Sequence, residues 1–252
     1  VGLEGYADAA VLAPFPHAMV RLGAVGRIRA LLDEAACRDI VMVGHVRRPS
    51  LLTLRPDAEG AKLLARIGRA AFLGDDGLLS AVVRVLGEDG FRVLGAHEVL
   101  TEAVAPPGLL TQAAPDAMAA ADVARGVAVA RLLGEADVGQ ACVVQQGLVL
   151  AVEAIEGTDA MLRRAAGLVR PGPGGVVVKL LKPGQERRAD MPAIGPATVA
   201  LAAEAGLRGI AYAARGTLIA ERARTIAAAD AARMFLLGLD PETYQPEPEQ
   251  PA

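Results

Sequence analysis

Cys142 to Leu162, CVVQQGLVLAVEAIEGTDAML, contains two short apolar runs, Cys142-Val143-Val144 and Leu148 to Val152, separated by Gln145-Gln146-Gly147. Glycine accepts the positive φ of a tight turn, so the spacing predicts a β-hairpin. The second run ends in Glu153, followed by Glu156-Gly157-Thr158-Asp159, and a helical pattern begins at Ala160. Three carboxylates and a hydroxyl therefore crowd one strand-to-helix corner. Thr158 or Asp159 can cap the helix and leave the glutamates to solvent. Glu153 fits that reading less well, because it continues a strand that is otherwise apolar.

Upstream, Leu22 to Ala36 has helical apolar spacing, and Ile40 to Val43 is a continuous apolar run of the kind buried on both faces of a sheet. That run ends in Gly44-His45, at the strand end where open α/β sheets place ligands, so His45 is a candidate for substrate contact. Helices are expected over Ala61–Ala71 and Leu78–Leu86, with Gly74-Asp75-Asp76-Gly77 between them. One of Asp75 and Asp76 serves as an N-cap, and the other is left to bind ribose hydroxyls or a magnesium-bound water. Phe91 to Leu94 returns as a strand and ends at His97 and Glu98. Such alternation implies βαβ units and a largely parallel sheet.

Pro106, Pro107 and Pro115 punctuate the next segment, where a domain boundary is expected between Thr101 and Pro115. Beyond it, Ala117 to Leu133 reads as a helix interrupted by Gly126. Gly172-Pro173-Gly174-Gly175 reads as a mobile loop, and not a P-loop, since no Gly-Lys-Ser/Thr follows. Val176 to Leu181 is a strand carrying Lys179, one of three lysines with Lys62 and Lys182. A compact ammonium suits a phosphate oxygen. Asp190 lies on an expected extended loop with no evident structural duty. Gly195-Pro196 opens a helix over Ala197–Ala205. Gly209–Tyr212 and Thr217–Ala220 resemble a hairpin around Arg215-Gly216, and a helix through Ile226 leads to a last strand, Met234–Leu237. The expected division is residues 1–105, residues 106–240, and a Pro- and Glu-rich tail, 241–252, that should be disordered.

The 252 residues carry a net charge of −3, with 53% hydrophobic residues. A folded globular chain follows, with no electrostatic case for nucleic acid. No uninterrupted apolar run is long enough for a membrane span. Cys37 and Cys142 both sit in apolar patterns and read as buried thiols of a reducing compartment.

The run GLVLAVEAIEGTDAML resembles a signature of the LpxI family, the UDP-2,3-diacylglucosamine pyrophosphatases of bacterial lipid A synthesis. Gly74-Asp75-Asp76, Gly95-Ala96-His97-Glu98-Val99 and Asp190-Met191-Pro192-Ala193-Ile194-Gly195 agree in the same order, from about Tyr6 to Asp240. The resemblance implies two α/β domains, the first Rossmann-like and the second catalytic, with the site in the cleft between them, and a homodimer. It implies hydrolysis of UDP-2,3-diacylglucosamine to UMP and 2,3-diacylglucosamine 1-phosphate (lipid X), with a divalent cation, by a cytoplasmic enzyme that touches the membrane surface transiently. It also implies an opening strand and glycine-rich turn not found here, so a first βα unit is expected to be missing. The family's catalytic aspartate, in a D-x-P-x-I-G context, matches Asp190.

Pyrophosphate hydrolysis needs phosphate charge neutralised and a water positioned. Magnesium takes one or two protein carboxylates and keeps several waters. Glu153, Glu156 and Asp159 are the candidate metal ligands. His45, Asp75, Asp76, His97, Glu98, Gln146, Thr158 and Lys179 are the candidate substrate-binding residues. Other architectures fit poorly. Three histidines, at positions 17, 45 and 97, are too few for a calcineurin-like dinuclear site, and a Nudix REXXEE helix is absent. No Gly-x-Gly-x-x-Gly follows a strand, and no Gly-x-Ser-x-Gly elbow is present. A nucleotide-sugar binding protein without turnover and a scaffold on the same fold remain as alternatives.

Overall fold

The structure is a computed structural model that describes residues 1–44, 46, 50–68 and 75–245, with the side chains of residues 51, 52 and 75 outside it. The chain is α/β throughout and divides into two compact units, residues 1–99 with 186–190, and residues 100–185 with 191–252.

In the first unit the order is β1 (Gly2–Leu3), α1 (Ala9–Leu12), β2 (Met19–Val20), α2 (Val25–Glu34), β3 (Asp39–Val41), α3 (Leu51–Leu54), α4 (Ala58–Ile67), α5 (Asp75–Glu88), β4 (Arg92–Leu94) and α6 (Ala96–Val99). β1 pairs with β2 and β3 with β4, both parallel. Helix α2 starts later than its apolar spacing suggests. A Cβ on Gly23 would stand 2.0 Å from the Leu54 carbonyl oxygen, so the chain there passes tightly under α3 and turns before becoming helical. β3 is not the doubly buried strand that its composition suggests. Among the described residues it pairs only with β4, and Val41 and Val43 are exposed. Ile67, Ala81 and Val85, from α4 and α5, form this unit's buried cluster. Cys37 is exposed, so the expectation of two buried thiols holds only for Cys142.

The second unit comprises β5 (Gly108–Leu109), α7 (Ala117–Glu135), β6 (Ala141–Gln145), β7 (Leu148–Val152), α8 (Gly157–Ala166), β8 (Val176–Lys179), β9 (Ala193–Ile194), α9 (Pro196–Glu204), β10 (Gly209–Ala213), β11 (Leu218–Ile219), α10 (Arg222–Ala231) and β12 (Phe235–Leu239). Its six-stranded sheet runs β5-β12-β10-β8-β6-β7, with β12, β10 and β8 parallel and the other pairings antiparallel. Side chains alternate across it as strand geometry requires. Val143, Val177, Ile210 and Leu236 pack with α8, α9 and α10, whereas Cys142, Val144, Val178 and Ala211 pack with α7. Burial pushes the Cys142 thiol up to about 12, so it is an inert core group.

The hairpin of the decisive stretch forms as read. Gln146 (φ 54°) and Gly147 (φ 76°) make its two-residue turn, both in the left-handed region. The buried Asp122 carboxylate, reaching from α7, accepts both turn N–H groups, at 3.0 and 2.7 Å. Gly126 does not interrupt α7. A Cβ there would stand 2.3 Å from Val178 Cγ2, so the glycine lets the helix lie close on the sheet. The glycine-rich loop after Val169, read as mobile, is tied down. The buried Gln145 amide donates to the carbonyls of Arg170 and Pro173 and accepts from Arg170 N–H.

Residues 209–220 do not form a hairpin. Both flanks of β10 are occupied, by β8 and β12, so the returning strand has no edge to pair with. β11 instead pairs in parallel with β9. The beginning of the tail is ordered against the unit: Tyr244 packs on the α7 side of the sheet, and Arg131 pairs with Glu242 at 3.1 Å. Residues 246–252 lie outside the described part.

Candidate active site

Three of the polar residues singled out in the sequence meet at one edge of the large sheet. β8 ends in Lys179, whose register partner on β6 is Ala141, and the Ala141 carbonyl accepts the N–H of Glu153 just beyond β7. Glu153 and Lys179 thus emerge at the edge where the parallel strands end, the usual ligand edge of open α/β sheets. α8 begins immediately after Glu153 and brings Thr158 between them.

The hydroxyl of Thr158 donates to Glu153 Oε1 at 2.8 Å and accepts from Lys179 Nζ at 2.8 Å. The direction is fixed, because an ammonium can only donate and an ionised carboxylate can only accept. Lys179 also donates to the Ala193 carbonyl at 3.1 Å, and the other Glu153 oxygen receives Gln140 N–H at 3.3 Å. Glu153 and Lys179 are only 6% and 7% exposed, so a carboxylate and an ammonium are held in the interior through one bridging hydroxyl. Gly139 makes the corner possible: a Cβ there would lie 2.1 Å from the Glu153 carbonyl oxygen. The two backbone partners, Gln140 N–H and the Ala193 carbonyl, were not recognised from sequence.

The other two corner carboxylates point to different duties. Glu156 pairs with Arg164 at 2.7 Å, and its carboxyl lies below the usual range, first through its own backbone N–H and then through Arg164. Asp159 is exposed in the first turn of α8. Among the described residues no group of three or more His, Cys, Asp or Glu side chains could hold a metal ion. Glu153, Glu156 and Asp159 therefore do not fit a preassembled cation cage. Gln146 is at the opposite end of β7 from Glu153, with its amide on the Pro171 carbonyl at 3.1 Å. It serves the hairpin and its neighbouring loop.

The remaining residues belong to the first unit. Glu98 accepts the N–H of Gly95 at 2.7 Å, closing the turn after β4. His97 follows the same strand, with Nδ1 buried and without a hydrogen bond. Asp75 and Asp76 open α5, with Asp76 half-buried. His45 lies outside the described residues. Asp190 groups with this unit, together with Glu186 to Ala189. Its N–H donates to the Glu186 carbonyl at 3.0 Å, so it follows directly on a closed turn.

A family model described as the LpxI N-terminal domain matches residues 1–103, and one described as the LpxI C-terminal domain matches residues 106–237. The chain belongs to the LpxI family. It is 44% identical over 246 residues to the UDP-2,3-diacylglucosamine pyrophosphatase LpxI of Caulobacter vibrioides, an alignment that covers 95% of this chain and 88% of that protein. For an LpxI-family chain, the buried Glu153–Thr158–Lys179 chain and the Asp190 turn are the two local constructions that need a functional account. Among the described residues no helix is long and apolar enough to cross a membrane.

Proposed function

We propose that this chain hydrolyses the pyrophosphate bond of UDP-2,3-diacylglucosamine, releasing UMP and 2,3-diacylglucosamine 1-phosphate, in lipid A biosynthesis. The observation that carries the reading is the 44% identity, spread over 95% of the chain, to a pyrophosphatase named for that substrate. In the reaction a water oxygen bonds to one phosphorus as the bridging P–O bond breaks, and the water gives up a proton. Asp190 is the group proposed to orient that water and accept its proton, since a carboxylate on a closed turn is held for such a task. Lys179 supplies fixed positive charge at the strand-end edge, where phosphate negative charge is to be offset.

A divalent cation is proposed to come with the substrate pyrophosphate, whose oxygens and bound waters would make up most of its shell. Asp76, His97 and Glu98 are proposed substrate contacts. The homodimer is part of the same proposal, as is a transient association with the membrane surface, where a diacylated substrate resides.

Incubation with UDP-2,3-diacylglucosamine and magnesium, with UMP followed by chromatography, tests the reading. Stoichiometric release of UMP and lipid X is expected, and Asp190→Ala is expected to abolish it while the melting temperature stays unchanged. Tight binding of the substrate with no UMP formed would favour a non-catalytic nucleotide-sugar binding protein.

A further inference from the structure

Asp190 is the last residue of a five-residue turn that begins at Glu186. The carbonyl of Glu186 accepts the N–H groups of Ala189 and Asp190, at 2.9 and 3.0 Å. The carboxylate of the same residue is gripped by Arg188: Nε reaches Oε1 at 2.8 Å, a terminal guanidinium nitrogen reaches Oε2 at 2.7 Å, and the Arg188 backbone N–H reaches Oε1 at 3.2 Å. Glu186 is thus bonded at both ends within its own turn. Arg188 holds the Glu186 carboxyl below the usual carboxylate range. The turn also has a close-fitting seat. The Arg187 carbonyl oxygen would lie 3.1 Å from a Cβ on Gly95, and Gly95 follows β4 directly.

The clamp joins a half-exposed Arg188 side chain (49%) to a more buried Glu186 (16%), and solvent on the arginine side limits what the pair contributes to stability. A two-pronged guanidinium–carboxylate bond does supply geometry, because it fixes both groups in one plane. Here it ties Arg188, two residues before Asp190, to the residue whose carbonyl receives the Asp190 N–H.

We propose that Glu186 and Arg188 are positioning residues for Asp190, holding its carboxylate in the orientation that turnover requires. The inference rests on the reading of Asp190 as the catalytic carboxylate. A reacting group displaced by about 1 Å can lose about 100-fold in rate, and a loop residue needs such support more than one on a helix or strand does. Arg188 acts through Glu186 and not on phosphate: two of its three guanidinium nitrogens are already committed to that carboxylate.

The test is steady-state UMP release from UDP-2,3-diacylglucosamine by Arg188→Ala, Arg188→Lys, Glu186→Gln, the double variant Glu186→Gln/Arg188→Ala, and Asp190→Ala. Arg188→Ala and Glu186→Gln should each lower kcat by about 10- to 100-fold, with KM within about twofold and an unchanged melting temperature. Arg188→Lys should recover part of the loss, since an ammonium makes one bond but not the fork. The double variant should lose no more than the worse single one, because both break the same clamp. Wild-type kcat in Arg188→Ala, or unchanged kcat with a raised KM, would overturn the inference, the second result marking Arg188 as a phosphate contact. Losses that multiply in the double variant would also overturn it. If Arg188→Ala unfolds, Glu186→Gln and Arg188→Lys decide by the same criteria. An inactive Asp190→Ala beside fully active clamp variants rejects positioning alone. An active Asp190→Ala rejects the catalytic reading beneath it and the inference with it.

Discussion

Lys179 Nζ stands 2.8 Å from the hydroxyl of Thr158, and that hydroxyl donates its own hydrogen to Glu153. The threonine therefore links two buried ionic groups, each of which also keeps a backbone partner, Ala193 for Lys179 and Gln140 for Glu153. Charges taken from water remain ionised in the interior only if paired and hydrogen-bonded.

Thr158→Val keeps the shape of the side chain and removes the bridge. It leaves Glu153 short of a donor and Lys179 short of an acceptor, so a loss of about 1–3 kcal/mol is expected. Thr158→Ser should cost less than half of that, because the hydroxyl is retained. Urea unfolding of the three proteins measures the difference. A Thr158→Val midpoint equal to the wild type would show that the bridge does not hold the pair.

The hairpin and Glu153 were legible in the sequence for physical reasons that survive in the fold. Gln146-Gly147 satisfies the left-handed turn from local chemistry alone, and a carboxylate continuing an apolar strand signals a buried partner. Other features depend on groups distant in sequence. Gly126 reads as a helix defect until the Val178 side chain beneath it is known. The expected 209–220 hairpin fails because β8 and β12 take the edges of β10, a fact that no local pattern contains. The partners of Lys179 and Glu153 at Ala193 and Gln140 are backbone atoms, which carry no residue signature. The turn that ends at Asp190 was not legible, because it is closed by the Glu186 carbonyl, a backbone atom without a residue signature.

Gly126→Ala tests the close approach of α7 to the sheet. The new methyl would lie 2.3 Å from Val178 Cγ2 and 2.9 Å from Val178 Cβ, so the helix must lift or the valine must leave its rotamer. The helix-propensity gain of alanine, about 1 kcal/mol, opposes an overpacking cost of about 1–3 kcal/mol. Net destabilisation is expected. The double variant Gly126→Ala/Val178→Ala should relieve the clash, so that the two changes couple favourably. Strict additivity in denaturant unfolding would rule out the packing explanation.

Chelation is expected to stop UMP release without unfolding the protein. Since no group of three or more metal-binding side chains is gathered among the described residues, a bound cation adds little to folding stability. The check is a melting curve beside an assay, each with and without chelator. Melting lowered by many degrees in chelator would mean that the protein itself provides a tight metal site.

Asp116 should make stability depend on acid pH through the start of α7. Its carboxylate caps the helix by accepting Ala119 N–H at 2.8 Å and pairs with Arg208 at 2.7 Å. The Ala119 N–H first, and then Arg208, hold its carboxyl below the ordinary value of 3.8. The folded state therefore binds this proton less readily than the unfolded chain. The associated stability is complete above the unfolded value and drains away as pH falls through the lower folded value. Asp116→Ala removes both cap and charge and should cost about 1 kcal/mol at pH 7. Asp116→Asn keeps a good cap and loses the ion pair, whose share is small because the Asp116 side chain is 61% exposed. The gap between wild type and Asp116→Asn, measured by urea midpoints, should hold down to about pH 5 and shrink as pH falls from about 4 to about 2. A gap that stays constant across that range would place the effect in packing and remove the carboxylate charge from the account.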